Sequence, residues 1–213
     1  MVAQGDAEKV YHGPGYITER LGRFNFLISA NSFFQTNTLQ AERLYDVVKD
    51  LAQLKPGDIV YDLYSGTGTI PIYLSELSAH SIGIEMNESA IMDARRNVEL
   101  NGITNCFFLR GDLADGLSSL RAAPSENTEF FMNHPAPTVV IADPPRNGMH
   151  PKVVVETAKL APDRIVYVSC NPSTQARDAR MFAEAGYELA VVQPVDMFPH
   201  TDHVEAVALF RRR

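Results

Sequence analysis

The sequence of 213 residues contains only two cysteines, Cys106 and Cys170, and they stand far apart. Two distant cysteines exclude a disulfide framework and the spaced ligand sets of zinc and iron–sulfur sites, so we expect no bound metal. This low cysteine content is typical of a reducing compartment and favours a cytoplasmic location. No apolar run approaches the length of a membrane-spanning helix, and the first residues lack the pattern of a signal sequence. We therefore expect no membrane association.

Positive charge is also scarce, because 19 Lys and Arg residues stand against 26 Asp and Glu residues and give a net charge of -7. This balance excludes a protein that binds nucleic acid through positive charge alone. It remains compatible with an enzyme that takes a single base into a local pocket. The small basic cluster Arg211-Arg212-Arg213 is interpreted as a solvated tail.

Strand and helix patterns alternate along most of the chain. Residues 1 to about 26 have a mixed pattern, and three prolines between 122 and 137 indicate a loop. Strands are predicted at 59–63, 81–85, 106–109, 139–142, 164–169, 187–195 and 204–210. Helices are predicted at 39–54, 70–77, 87–100, 151–160 and 173–185. This order predicts an α/β fold with a mostly parallel sheet of seven strands, helices on both faces and one antiparallel strand.

A glycine-rich turn follows the first of these strands, in Asp62-Leu63-Tyr64-Ser65-Gly66-Thr67-Gly68-Thr69. Glycines at such a turn let the backbone approach a ligand closely. No Gly-Lys-Ser/Thr follows, and Pro71 stands where a dinucleotide fingerprint has its third glycine. The turn fits the acidic-x-Gly-x-Gly-x-Gly loop of methyltransferases with a nucleoside cofactor, with Tyr64 at the first glycine position. A tight turn without a ligand is the alternative.

Two carboxylates follow the next strands. Glu85 ends the second strand, where a carboxylate can accept hydrogen bonds from both ribose hydroxyls of an adenosine. Asp112 follows the third strand and is a candidate for contact with the adenine, although a helix cap or a solvated side chain is an equal alternative. Since ligands of such sheets bind beyond the carboxyl ends of the strands, both residues are placed to meet one ligand.

Two further motifs follow the fourth and fifth strands. Asp143-Pro144-Pro145-Arg146 is stiff because proline fixes the backbone, and it indicates a site more than a plain structural turn. Arg146 replaces the aromatic residue that some amino-methylating enzymes have there, which disfavours chemistry on an exocyclic amine. Cys170 lies at a strand end before a helix that Pro172 opens, so we expect a partly exposed and deprotonated thiol.

A reactive thiol suits methylation of carbon 5 of uracil, which is a poor nucleophile. Addition of a thiolate to carbon 6 gives carbon 5 carbanion character, and a base must then remove the carbon 5 proton so that the thiol can leave. Glu205, which begins the last strand, is the candidate base. Read by itself, Glu205 is an ordinary surface strand residue.

With these motifs in this order, the chain resembles the RNA uracil-5-methyltransferase family over about residues 13 to 213. The resemblance rests on Ser32-Phe33-Phe34-Gln35-Thr36-Asn37, Asp62–Thr69, Asp143–Arg146, Ser169-Cys170-Asn171-Pro172 and Asp196–Glu205. It implies a Rossmann-like class I methyltransferase fold, S-adenosyl-L-methionine as cofactor, and an RNA substrate, either rRNA or tRNA. It implies Cys170 as nucleophile, Glu205 as base, and a cofactor pocket lined by Gln35, Tyr64, Gly66, Thr69, Glu85, Asp112 and Asp143.

The chain differs from typical members because it lacks their longer amino-terminal portion, which includes a small β-barrel domain that binds RNA. We therefore interpret residues 1–37 as the remnant of a preceding region that carries a cofactor-contacting motif, and residues 38–213 as the methyltransferase domain. A monomer is expected. Two alternatives stay open: methylation of another nucleobase target such as carbon 5 of cytosine, and a catalytic-domain fragment that binds cofactor but cannot engage RNA alone.

Overall fold

The computed structural model describes residues 9–113 and 136–213. The predicted loop at 122–137 therefore lies outside the described residues, except for its last two positions. Nine strands occur in the described part of the chain, two in a separate hairpin and seven in one sheet. The hairpin strands are β1 (Tyr16–Leu21) and β2 (Phe24–Ser29). The sheet strands are β3 (Ile59–Leu63), β4 (His80–Glu85), β5 (Cys106–Arg110), β6 (Val139–Ala142), β7 (Arg164–Ser169), β8 (Tyr187–Val195) and β9 (Glu205–Arg212).

The strand order in the sheet is β5-β4-β3-β6-β7-β9-β8. Neighbouring strands from β5 to β7 are parallel, and β9 runs antiparallel to both β7 and β8. The fold class is thus confirmed, including the single antiparallel strand. All seven predicted sheet strands are present, with ends shifted by at most two residues. The carboxyl ends of β3 to β7 and the beginning of β9 meet at one edge, which we call the carboxyl edge.

The helices are α1 (Thr38–Ala52), α2 (Thr69–Tyr73), α3 (Glu88–Leu100), α4 (Pro151–Lys159) and α5 (Pro172–Glu184). The helix predicted at 70–77 is instead the short α2 followed by a 3₁₀ turn at Ser75–Leu77. Asparagine side chains cap three of these helices: Asn37 accepts from Gln40 N, Asn87 from Ala90 N, and Asn171 from Ser173 N. Asparagine is a strong N-cap because its carbonyl oxygen accepts one of the unpaired amides of the first turn.

The central strands are apolar on both faces because helices cover both sides of the sheet. β3 and β6 are buried along their whole length. Alternate residues of β3, β6, β7 and β9 contribute to two apolar cores, one against α1 and the hairpin and the other against α4 and α5. Leu44 and Phe26 belong to the first core, and Val153 and Phe182 belong to the second.

The hairpin was not predicted from the mixed pattern of residues 1 to 26. Phe24, Phe26 and Ile28 of β2 face inward and join the core that α1 covers, whereas Asn25 is exposed. The division of the chain at residue 37 stays a prediction. The hairpin packs its apolar face on the core that α1 covers.

The three arginines at the carboxyl terminus are exposed, as expected of a solvated cluster, but two of them belong to a strand and not to a tail. Arg211 and Arg212 lie in β9, and Arg212 forms an ion pair with Asp163 at 2.5 Å. The backbone amide of Arg213 donates to the carbonyl of Gly186 at 3.0 Å. No helix within residues 9–113 and 136–213 is long and apolar enough to cross a membrane.

Candidate active site

The predicted nucleophile and base are neighbours at the carboxyl edge. Cys170 directly follows β7, and Glu205 is the first residue of β9. In the antiparallel register Ser169 pairs with Ala206, which brings Cys170 and Glu205 to adjacent positions on the two strands. Asp143 follows β6, the neighbour of β7 on its other side. The three neighbouring strand ends therefore place the thiol-bearing residue between the two residues with carboxyl groups.

The thiol of Cys170 is half-buried, as expected, but it is not poised as a thiolate. Burial raises the pKa of Cys170, and the carboxylates of Glu205 and Asp143 raise it further, while Arg146 lowers it. The expectation of a deprotonated thiol is therefore wrong for the unliganded chain. The helix that begins at Pro172 was expected to favour the thiolate, whereas burial and two nearby negative charges favour the protonated thiol.

The two carboxyl groups also hold protons more strongly than usual. Burial raises the pKa of Asp143 to about 7, and the charge of Glu205 contributes to this shift. Glu205 is 6% exposed, and burial raises its pKa above the ordinary value for glutamic acid. Because the charge of Glu205 adds to the effect of burial, Asp143 is the carboxyl group that can take up or release a proton near neutral pH.

The glycine-rich turn after β3 has an unusual backbone. Tyr64, Gly66 and Gly68 all have left-handed φ angles, of 67°, 52° and 80°. Tyr64 thus adopts the conformation of the glycine whose place it takes in the motif. A Cβ atom at Gly68 would lie 2.5 Å from the ring of Phe108, so only glycine fits there. The backbone amides of Tyr64 and Ser65 donate to the carbonyl of Ile84 at 3.0 and 3.2 Å, which fixes the turn against β4.

Glu85 lies beside this turn and is oriented by two backbone amides. Its Oε2 accepts from Gly66 N at 3.1 Å, and its Oε1 accepts from Asn87 N at 2.8 Å. Asp112 is exposed after β5, and the amide of Gly111 next to it donates to the carbonyl of Glu85 at 2.9 Å. The structure thus brings the candidate ribose and adenine residues to adjacent strand ends.

Asp62 is a residue of this site for which the sequence pattern indicated no separate role. It is fully buried at the end of β3, and neither carboxylate oxygen has a hydrogen-bond partner among residues 9–113 and 136–213. Burial raises its pKa well above the ordinary value, and Asp143 and Glu85 add to the shift. The hydroxyls of Ser65 and Thr67 are likewise buried and unpartnered within the described residues. For Asp62, the available signal in the sequence was its place as the acidic residue of the glycine-rich motif.

Unpaired buried polar groups are costly, so a cluster of them indicates a place for a polar ligand. The carboxylate of Asp62 and the two hydroxyls lie in the turn that was predicted to hold a nucleoside cofactor. The residues present therefore fit S-adenosylmethionine, which carries an ammonium group and two ribose hydroxyls.

Helix α1 supplies a second residue that was not anticipated. Tyr45 is 3% exposed, its hydroxyl lies 3.2 Å from the hydroxyl of Thr69, and burial raises its pKa. The charges of Asp143, Asp62 and Glu205 all act on Tyr45. Tyr45 therefore lies near both the glycine-rich turn after β3 and the carboxyl groups of Asp143 and Glu205. In the sequence, Tyr45 stands within an ordinary helical pattern, which did not indicate a position near the site.

Gln35 is also buried, in the segment that leads into α1. The neighbouring Asn37 donates its side-chain amide to the carbonyl of Met197 at 3.0 Å. This bond ties the Ser32–Asn37 motif to the Asp196–Glu205 motif. Two motifs that are distant in the sequence are therefore held together at the carboxyl edge.

The Asp143–Arg146 turn is docked on α5, next to Cys170. The carbonyl of Arg146 accepts from the amide of Asn171 at 3.2 Å and from the hydroxyl of Thr174 at 3.3 Å. Further along, the amide of Met149 donates to the buried carboxylate of Asp178 at 2.8 Å. The side chain of Arg146 is exposed and is available to a substrate. In the described part of the chain, no group of three or more potential ligand residues is placed to hold a metal ion.

A family model described as tRNA (uracil-5-)-methyltransferase matches residues 1–213 of the chain. An uncharacterized RNA methyltransferase of Chlorobaculum tepidum is 51% identical over 211 residues, which cover 99% of this chain and 42% of that protein. An uncharacterized RNA methyltransferase of Porphyromonas gingivalis is 48% identical over 98% of this chain and 43% of its own length. The chain thus spans less than half the length of these relatives.

Among solved structures, the chain is similar to the Pyrococcus abyssi tRNA (uracil-54, C5)-methyltransferase in complex with S-adenosyl-L-homocysteine. The TM-score is 0.75 at 38% identity, over 97% of this chain and 48% of that chain. The M. jannaschii tRNA m1G37 methyltransferase has a TM-score of 0.67 at 12% identity, over 95% of this chain and 58% of that chain. At that identity, the second likeness shows the fold alone.

Proposed function

The chain belongs to the tRNA (uracil-5-)-methyltransferase family, and on that premise we propose that it transfers a methyl group from S-adenosylmethionine to carbon 5 of a uridine in RNA. The observation that carries this proposal is the adjacency of Cys170 and Glu205 at the carboxyl edge, beside a glycine-rich turn with unpaired buried polar groups. The substrate is proposed to be a tRNA or an rRNA.

The proposed cofactor site lies along the ends of β3, β4 and β5. We propose that Glu85 accepts hydrogen bonds from the ribose hydroxyls and that Asp112 contacts the adenine. The orphaned carboxylate of Asp62 suits a cationic or hydrogen-bond-donating part of the same ligand. The further proposed contacts are Gln35, Tyr64, Gly66, Thr69 and Asp143. When bound, S-adenosylmethionine supplies an electrophilic methyl group.

Proton transfer has to precede attack by Cys170, because its pKa is raised and it holds its proton at neutral pH. Asp143 and Glu205 are the carboxyl groups whose charges act on this thiol. We propose that this pair takes the thiol proton as the sulfur approaches the base. Formation of the thiolate only at contact keeps the cysteine unreactive toward other electrophiles.

The sulfur of Cys170 then adds to carbon 6 of the uracil, and the electrons of the double bond between carbons 5 and 6 move toward oxygen 4. Carbon 5 becomes nucleophilic and would take the methyl group that bound S-adenosylmethionine supplies, with the bond between that methyl group and sulfur breaking and S-adenosylhomocysteine as the second product. Glu205 removes the proton from carbon 5, the double bond re-forms, and the sulfur leaves as a thiolate that the carboxyl pair can reprotonate. The RNA base has to leave its stack to reach this edge. The exposed Arg146 is proposed to hold a phosphate or a carbonyl of that nucleotide.

We expect Cys170→Ala to abolish methylation while leaving the affinity for S-adenosylmethionine within about twofold, because the thiol acts on the base. The chain and labelled S-adenosylmethionine are incubated with unmodified tRNA and rRNA fragments, and the nucleosides are analysed by mass spectrometry. The parent chain should place label in 5-methyluridine, and Cys170→Ala should not.

The matched control is Cys106→Ala, since Cys106 is the other thiol and is buried at the start of β5, away from the carboxyl edge. That variant should retain methylation. Turnover by Cys170→Ala would refute the role of the cysteine. Label in 5-methylcytidine would reassign the substrate to cytosine, and no label despite cofactor binding would refute activity of this 213-residue chain on RNA.

A further inference from the structure

Helix α3 covers the free edge of the hairpin with polar side chains from successive turns. Asn101 Oδ1 accepts from Asn25 N at 3.0 Å, and its Nδ2 donates to Asn25 O at 2.8 Å. Asn97 makes the same pair of bonds to Leu27, at 2.7 and 3.2 Å. The next bonds along the edge join a helix carboxylate to a serine of β2, from Ser29 N to Asp93 Oδ2 at 2.8 Å and from Ser29 Oγ to Asp93 Oδ1 at 2.7 Å.

The spacing of these bonds follows from the geometry of the two elements. Four residues of helix rise about 6 Å, and two residues of strand advance about 6.6 Å. Helix positions 93, 97 and 101 therefore match strand positions 29, 27 and 25. β1 pairs with only one edge of β2, so these side chains satisfy backbone groups on the other edge.

Asn97 differs from Asp93 and Asn101 because it also reaches the glycine-rich turn after β3, which we call the cofactor turn. Its Nδ2 donates to the carbonyl of Thr67 at 3.2 Å, and the side chain is fully buried. Thr67 stands between Gly66 and Gly68, and Gly66 is held from the other side by Glu85. The third bond of Asn101 goes instead to the carbonyl of Asn97 in its own helix, at 2.7 Å.

We infer that Asn97 is a positioning residue that sets the affinity for S-adenosylmethionine by holding the carbonyl of Thr67 in the cofactor turn. Only a carboxamide fits this place, because Leu27 N requires an acceptor while Leu27 O and Thr67 O require donors. The same amide thus links the hairpin to the cofactor site. A turn that is already ordered binds a ligand more tightly, since less conformational freedom is lost on binding. The inference rests on the proposed cofactor site.

The test compares Asn97→Ala with Asn101→Ala in the full chain. Both variants lose two bonds to β2, but only the first loses the bond to the cofactor turn. Calorimetry with S-adenosylmethionine should show a Kd that is roughly three- to tenfold higher for Asn97→Ala. The Kd of Asn101→Ala should stay within about twofold of the parent. Hydrogen exchange of the amides at 64–68 should increase only in Asn97→Ala.

A merely structural role would lower the unfolding temperature of both variants and leave the Kd of the folded protein unchanged. Equal Kd changes in the two variants, or none in Asn97→Ala, would overturn the inference. Should Asn97→Ala fail to fold, Asn97→Gln, which keeps the carboxamide on a longer side chain, carries the same comparison with a smaller expected loss. Cofactor binding needs neither Cys170 nor RNA, so failure of the proposed methylation leaves this test intact. A parent chain without cofactor affinity would overturn both.

Discussion

Charge at single residues determines the chemistry of the carboxyl edge. The thiol of Cys170 keeps its proton in the unliganded chain because burial and the carboxylates of Glu205 and Asp143 all disfavour a thiolate. The same burial raises the pKa of Asp143 to about 7. The charge of Glu205 therefore acts on the ionisation of both other groups. A change at Glu205 should alter the pKa values of Asp143 and Cys170.

Replacement of Glu205 by Gln should make Cys170 react faster with iodoacetamide at pH 7. Removal of the negative charge lowers the pKa of the thiol, and each lost pKa unit raises the thiolate fraction up to about tenfold. The rate of alkylation is measured by mass spectrometry of the intact protein. Cys106 is the internal control, because it is 5% exposed and burial raises its pKa to about 12. An unchanged or slower reaction of Cys170 would contradict this electrostatic account.

Asp62→Asn should stabilise the unliganded chain, and the gain should increase as the pH rises from 5 to 8. The folded-state pKa of Asp62 is raised, so its contribution to stability is present below the unfolded-state pKa and is lost as the pH rises. Asparagine does not titrate, so the difference in unfolding free energy between Asp62→Asn and the parent chain should widen by at most about 1.4 kcal/mol per pH unit.

Denaturant unfolding of both proteins at several pH values measures this difference. A pH-independent gap would show that Asp62 is already ionised in the folded chain at pH 5. The affinity for S-adenosylmethionine, measured beside it, should fall in Asp62→Asn if the unpartnered carboxylate contacts the cofactor.

At the scale of elements, the site is assembled from strand ends and the turns that follow them. The turn after β3 is held by the carbonyl of Ile84, by Glu85 and by Asn97, which come from β4 and α3. Its left-handed residues let it reverse direction within a few positions. The geometry of this turn is therefore a property of three neighbouring elements.

Gly68→Ala should cost about 2 kcal/mol or more of unfolding free energy. An alanine there would have φ near +80° and a Cβ atom 2.5 Å from the ring of Phe108. Gly102→Ala is the matched control, because Gly102 also has a positive φ, of +64°, but an added Cβ meets nothing within 4 Å. That variant should lose only about 1 kcal/mol. Thermal or urea unfolding compares the two, and equal losses would show that contact with Phe108 does not matter.

For the whole molecule, the net charge of -7 limits how strongly this chain alone can hold RNA. We expect the 213-residue chain to bind tRNA with a Kd above about 1 µM at 150 mM salt, since specific nucleic-acid complexes reach nanomolar affinity only with many phosphate contacts. The affinity for S-adenosylmethionine should not depend on salt to the same degree. Filter binding at 50 and 200 mM salt, beside calorimetry with the cofactor, measures both, and nanomolar binding of tRNA would contradict this expectation.

Local sequence patterns were enough to predict the sheet and most of the helices. The strands of the sheet are short apolar runs between turn residues, and the asparagines and prolines at the helix starts act within one turn of the chain. The motifs also placed Cys170, Glu205, Glu85 and Asp143 at strand ends, because all carboxyl ends of parallel strands share one edge. The roles of these residues, and the expected monomeric state, stay predictions.

Contacts between distant residues decided what the local patterns could not. The hairpin was missed because its short alternating strands gain their partners from α3 and α1, which come later in the chain. The protonated state of Cys170 depends on Glu205 and Asp143, which lie on other strands. The buried, unpartnered carboxylate of Asp62 and the link from Asn97 to Thr67 exist only once β3 and α3 are packed. Hydrogen bonding, burial and charge all depend on distance in space, so these features required the tertiary structure.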